Sequence, residues 1–196
     1  LEFWGADDGQ VWGGEGREGS QWGQPRGLRF LFVGNCSVWK GVPLLLEAWA
    51  DAGLSEAELV LVGGWRLSDR VRSELPSNVR TVSPVSSKEL RRIYRGSDVL
   101  VLPSQFEGFG LVILEAMASG LPVIASDATA APEIVDPDCG WVLSHSEKSA
   151  WVEALRNCAA NRGRLAGMGT AARVRASQFG WDRYREALTD AVTRLG

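Results

Sequence analysis

The sequence predicts an α/β domain built on a doubly wound, parallel β-sheet, and three observations lead there. From Leu28 onward, short apolar runs recur between segments of helical period. The runs are apolar at nearly every position and not at alternate ones, so each strand is covered on both faces. Helical segments separate them, and strands joined by helical crossovers run parallel.

The elements follow in order. LRFLFVG (28–34) reads as a buried strand and VPLLLEAWADAG (42–53) as the helix after it. AELVLVGG (57–64) is a second strand and NVRTV (78–82) a shorter third. SSKELRRIYRGS (86–97) opens with a serine cap followed by Glu89 and ends in basic residues, which are helix start and stop signals. SDVLVLPS (97–104) is a strand, LVILEAMASG (111–120) a helix closed by glycine, and LPVIAS (121–126) a strand. PEIV (132–135) and a short strand at GWVLS (140–144) come next, then helices over about 147–160, 162–177 and 181–195.

Residues 1–27 form an expected irregular arm, rich in Gly and carrying Trp4, Trp12 and Trp22 with few aliphatic residues. Gly14, Gly16 and Gly19 there spell GxGxxG, but no hydrophobic strand precedes them and no helix follows, so they are no dinucleotide fingerprint. The domain proper is expected over 28–196.

The 196 residues are 45% apolar and 23% charged, ordinary for a globular domain that folds without disulfide or metal. A formal net charge of −3 argues against broad binding to nucleic acid or anionic lipid. No apolar run reaches the length of a membrane helix and none resembles a signal peptide, so membrane association is not encoded in this segment. Cys36, Cys139 and Cys158 are odd in number and widely spaced, reading as reduced thiols of a cytoplasmic protein and not as a zinc site. The chain begins with Leu1, so a piece of a longer protein is expected.

In a doubly wound sheet, ligands sit beyond the carboxyl ends of the strands, near the point where strand order reverses. The loops to interrogate are therefore 34–41, 63–65, 83–86 and 103–110. Glu115 is the residue most in need of explanation. On a helix over 111–119 its own face carries Leu111, Val112, Ala118 and Ser119, only one of them polar. A solvated glutamate would share its face with other charges, whereas this one needs a hydrogen-bonding partner, and adjacent hydroxyls such as a ribose diol would suit it. Upstream, Gly108 and Gly110 permit conformations closed to other residues and a close approach to a ligand. The helix starting near Gly110 or Leu111 presents unpaired amides to a phosphate. Glu107 stands eight residues before Glu115, and Lys40, in the first loop, suits a phosphate as a point charge. Pyrophosphate on the helix start, diol on Glu115 and a further hydroxylated group on Glu107 together describe a nucleotide sugar.

At FVGNCSVWKGVPLLLEAW, SDVLVLPSQFEGFGLVILEAMASGLPVIAS, APEIV and FGWDRYREAL the sequence resembles the donor-binding, carboxyl-terminal domain of retaining glycosyltransferases of family 4. The likeness covers about 28–196 and implies one Rossmann-like half of a GT-B fold. Glu107 and Glu115 fit the family's E-x7-E element. The resemblance implies that Glu115 binds the ribose hydroxyls and Glu107 the donor sugar. It also implies that backbone amides of Phe109, Gly110, Leu111 and Val112 hold sugar and diphosphate. Lys40 then balances the leaving diphosphate, Gly34 and Asn35 line the first loop, and backbone near Val85 meets the base. No metal or other cofactor is implied. The expected partners are a nucleotide-sugar donor and an amino-terminal acceptor-binding domain absent from this chain, without which transfer is expected to be inefficient.

Two departures stand out. The family usually has arginine where this chain has Asn35, which brings a hydrogen bond but no charge, and Arg66 is one cation able to substitute. The Ser83-Pro84 pair occupies a place where the family often has glycine. Two alternatives remain at this point: a non-catalytic nucleotide-sugar-binding module, or another GT-B enzyme such as an epimerase or phosphorylase. His145, the single histidine, reads as a loop residue, and the Asn35-Cys36-Ser37 sequon means nothing in a reducing compartment. Arg91, Arg92 and Arg95 read as a solvated helix face, and Trp49, Trp151 and Trp181 as core packing or contacts across a domain boundary.

Overall fold

The computed structural model describes residues 27–180 and Thr189. The expected arm with its GxGxxG, the last helix, Trp181 and most of the FGWDRYREAL match lie outside the described residues. In chain order the elements are β1 (Arg29–Val33), α1 (Val42–Ala52), β2 (Glu58–Val62), α2 (Asp69–Ser73), β3 (Val79–Val82), α3 (Ser87–Arg95) and β4 (Val99–Leu102). They continue with α4 (Leu111–Ala118), β5 (Val123–Ser126), α5 (Ala131–Ile134), β6 (Gly140–Leu143), α6 (Lys148–Ala160), α7 (Arg162–Ala176) and a 3-10 turn over Ser177–Phe179.

The strands form one sheet in the order β3-β2-β1-β4-β5-β6, with every pairing parallel. Leu31 at its centre pairs with Val60 on one side and Leu100 on the other, and all three are fully buried. β1, β4 and β5 are buried along their whole length, as strands covered on both faces must be. α1 packs against α6, and α4 against α7. Trp49 of α1 meets Phe30 edge to face at 5.4 Å, and Trp151 of α6 is fully buried with its Nε1 donating to the Ser144 carbonyl at 2.9 Å. Both tryptophans are therefore core residues.

Ser86 caps α3, its hydroxyl accepting from the Glu89 amide at 3.3 Å. Of the three arginines expected on a solvated face of α3, Arg92 and Arg95 are exposed, with Arg92 paired to Glu89, whereas Arg91 is half-buried. Two elements differ from expectation. α2 falls in a stretch left unassigned from sequence, since DRVRS has no buried residue and hence no apolar stripe to announce it. PEIV belongs mostly to α5, which begins one residue earlier, with Pro132 in its first turn, where a missing amide costs nothing.

The three cysteines are free and buried at separate places. Burial pushes the thiols of Cys36 and Cys139 up to about 11 and that of Cys158 up to about 12, so thiolate is scarce at neutral pH. We expect the folded chain to react slowly with a thiol-specific reagent such as DTNB at pH 8. After denaturation three equivalents should titrate promptly; fast native labelling would contradict this burial.

Candidate functional site

Strand order reverses between β1 and β4, so the loops that leave their carboxyl ends part to opposite sides of the sheet and open a mouth between them. The loop after β1 carries Gly34, Asn35 and Lys40; the loop after β4 carries Glu107, Gly108, Phe109 and Gly110. Three contacts tie the two together. Gly41 has φ 68°, in the left-handed region, and a Cβ there would collide with the Pro103 carbonyl oxygen, so only glycine fits. The Gln105 amide donates to the Trp39 carbonyl at 2.9 Å. Lys40 Nζ forms an ion pair with Glu107 Oε2, both side chains mostly buried.

The base of this loop pair is polar and ordered. Ser104, fully buried, lies 3.5 Å from the same Glu107 oxygen, and its carbonyl accepts from the Ser126 hydroxyl at 2.5 Å. Ser37 Oγ accepts from the Lys40 amide at 3.3 Å, which shapes the turn that aims the lysine.

Gly110 begins α4 with φ 74° and no side chain caps the helix. The amides of Leu111 and Val112 are thereby left open to a ligand at the positive end of the helix. Gly108 corrects an expectation. Its φ is not positive and a Cβ would meet nothing within 4 Å, so the fold itself does not require glycine there.

Glu115 lies in the second turn of α4 and is half-buried. Its Oε2 accepts from the Tyr94 hydroxyl of α3 at 3.0 Å, and the neighbouring Ser119 hydroxyl turns instead to the Glu115 carbonyl at 2.8 Å. Tyr94 is fully buried. Burial, and then the adjoining Glu115 carboxylate, push its phenol far above the ordinary range, so it stays a donor at any working pH. Tyr94 was missed from sequence. The available signal was a tyrosine on the apolar face of a capped helix, whose hydroxyl must find a partner once buried.

The loop after β2 completes the mouth. The β1–β2 pairing continues past the strand ends, with Cys36 N donating to the Gly64 carbonyl at 2.8 Å and Arg66 N to the Cys36 carbonyl at 3.0 Å. Asn35 is exposed, and a Cβ on Gly64 would lie 2.8 Å from Asn35 Oδ1 and 3.9 Å from Arg66 Nε, so Asn35 and Arg66 share one face of that extension. Val85, in the loop after β3, is half-buried against the core. Val38, Trp39, Phe106, Phe109 and Leu111 are exposed large hydrophobic residues carried by the two tied loops and the helix start.

His145 sits in the loop after β6, as expected. Its Nδ1 lies 2.9 Å from Asp127 Oδ1, and this hydrogen bond holds the Asp127 carboxyl below the usual carboxylate range. Among the described residues, no group of three or more His, Cys, Asp or Glu side chains could hold a metal ion. No described helix is long and apolar enough to cross a membrane.

Fold and mouth together define a doubly wound domain whose loops after β1 and β4 meet at its topological switch point. The chain belongs to the glycosyl transferases group 1 family, whose model matches residues 27–161. It is 32% identical over 174 residues to the D-inositol 3-phosphate glycosyltransferase of Xylanimonas cellulosilytica, covering 84% of this chain and 42% of that protein. To the enzyme of the same name from Kineococcus radiotolerans it is 34% identical, with 84% and 43% covered. The chain thus spans about two fifths of the length of these relatives. Among solved structures, the sucrose-phosphate synthase of Thermosynechococcus elongatus superposes with a TM-score of 0.73 at 28% identity, over 86% of this chain and 45% of that one. Anabaena HepE, solved with UDP and glucose, gives 0.74 at 22% identity over 86% and 49%, a likeness of fold. The sheet is one Rossmann-like half of a GT-B fold.

The glycine at the loop crossing yields a direct test of this geometry. Gly41→Ala should cost about 2–4 kcal/mol from left-handed strain and collision with Pro103. Thermal unfolding should show a midpoint lower by roughly 5–15 °C; an unchanged midpoint would show that the loops are not locked as described.

Proposed function

We propose that this chain is the donor-binding half of a retaining, metal-independent glycosyltransferase, which moves a sugar from a nucleotide diphosphate sugar to an acceptor hydroxyl. One arrangement supports the reading: the tied loops that set Lys40 and Glu107 beside the uncapped start of α4, with Glu115 one turn further along. The family supplies the reaction class.

In this reading the diphosphate rests on the amides of Phe109, Gly110, Leu111 and Val112, with Gly34 and Asn35 across the mouth. Lys40 turns from Glu107 to the phosphates, which carry more negative charge than one carboxylate. Glu107 is then free to accept from a hydroxyl of the donor sugar, Glu115 accepts from the ribose, and the base lies against backbone near Val85. The bond from the anomeric carbon to the diphosphate oxygen breaks while the acceptor oxygen bonds that carbon on the same face. The acceptor proton leaves with the departing phosphate oxygen. Lys40 and the dipole of α4 stabilise the growing negative charge, the work a metal ion does elsewhere. The acceptor hydroxyl comes from an amino-terminal domain not contained in this chain, so the chain alone binds donor and transfers poorly. The unpaired thiols fit a reducing, cytoplasmic setting.

Asn35 favours a second reading. It is exposed and uncharged where a cation would strengthen diphosphate binding, which suits a binding module that transfers nothing.

A thermal-shift screen with UDP, GDP, ADP and their sugar conjugates tests the proposal, UDP coming first because HepE was solved with it. A ligand at one hundred times its Kd should add about 2.7 kcal/mol to stability. The shift should shrink in Lys40→Ala and Glu115→Ala and persist in full in His145→Ala. Equal shifts in all three variants would remove the site. Binding without any transfer by the full-length protein would select the second reading.

A further inference from the structure

We propose that Tyr94 is a positioning residue that makes Glu115 a directional acceptor for vicinal hydroxyls, and so sets the protein's preference for a ribose over a deoxygenated sugar. The proposal rests on the donor-site reading above. Tyr94 lies on α3, the crossover between β3 and β4, whereas Glu115 lies on α4, the crossover between β4 and β5. Two helices that share no loop therefore converge on one carboxylate.

The two oxygens of that carboxylate are differently placed. Oε2 takes the Tyr94 hydroxyl at 3.0 Å from a ring that is fully buried. Among the described residues, no buried side-chain nitrogen or oxygen lacks a hydrogen-bond partner, and Oε1 has none, so Oε1 is open to solvent. One oxygen is held from within the protein and the other faces outward. A carboxylate pinned at one oxygen cannot spin about its terminal torsion, which is otherwise broad. Its free lone pairs then point in one direction, and a ligand need not spend ordering entropy to fix them.

The tyrosine suits this work better than a serine or lysine would. The phenol stays protonated beside the carboxylate, so toward Glu115 it acts as a hydrogen-bond donor. Its rigid ring has two torsions and is packed in the core beside Ile93, so the hydroxyl stays in place. A lysine would neutralise the carboxylate and weaken its hold on hydroxyl donors. Hydrogen bonds to a charged acceptor are the stronger kind, and they lose most when the acceptor is misdirected.

The experiment compares Kd values of the whole chain for UDP, GDP and ADP with those for the 2′,3′-dideoxy analogue of each, by calorimetry. The wild-type chain should prefer the ribonucleotide. Tyr94→Phe, which removes one hydroxyl and keeps the ring, should shrink that preference about tenfold by weakening the ribonucleotide alone. In a Glu115→Ala background, Tyr94→Phe should change the ratio no further; a ratio that moves in the first background and not in the second is a pair of outcomes that a purely structural tyrosine would not produce. An unchanged ratio in Tyr94→Phe, with the ratio collapsed in Glu115→Ala, overturns the proposal and leaves the donor site standing. An unchanged ratio in both variants, or no nucleotide binding by the wild-type chain, overturns the donor-site reading as well. Should Tyr94→Phe fail to fold, 3-fluorotyrosine incorporated into a Tyr184→Phe chain reports the same contact. Its fluorine resonance should shift with bound ribonucleotide and stay put with the dideoxy analogue; no shift with bound ribonucleotide overturns the proposal.

Discussion

All six strands run parallel, and their order reverses once, between β1 and β4. From this constraint the rest follows. Parallel strands deliver every carboxyl end to one edge of the sheet, so every loop with room for chemistry collects there. The reversal sends the connections after β1 and β4 to opposite faces, and a gap opens between them. Lys40 enters that gap from one side and Glu107 from the other. The ion pair joins two crossovers of opposite direction and would have no meaning in a sheet that wound one way only.

Much of this was legible in the sequence because burial on both faces leaves a plain trace. RFLFV, VLVL and VIAS are apolar without alternation, and each became a strand covered on both sides. Ser86 and Glu89 announced a helix start with a local hydrogen bond, which needs no tertiary context. What could not be read was whatever depended on a partner distant in sequence. α2 is polar and exposed, so it has no periodic stripe. Gly108 and Gly110 look alike in EGFG, yet only the second adopts a left-handed conformation, because the difference lies in how the loop meets α4.

Glu115 divides along the same line. Its misfit among Leu111, Val112 and Ala118 was visible from helical spacing, and so was the need for a partner. That the protein itself supplies Tyr94 was not visible, since the two lie 21 positions apart with a strand between them. Asn35 and Arg66 behave likewise. Their shared face exists because the β1–β2 ladder runs on past the strand ends through Cys36 and Gly64, an extension that neither loop shows in its own sequence.

The crossing of Gly41 under the Pro103 carbonyl, with the Gln105 amide bonded to Trp39, has a thermodynamic side. The two loops are ordered by backbone contacts that exist before any ligand arrives, so the entropy of fixing them is spent in folding the chain. A small molecule entering the mouth has only its own freedom to lose. Association then becomes a one-step encounter without a closing motion of these loops, and the lifetime of the complex carries the discrimination between ligands. A mouth held open in this way selects by fit and not by closure.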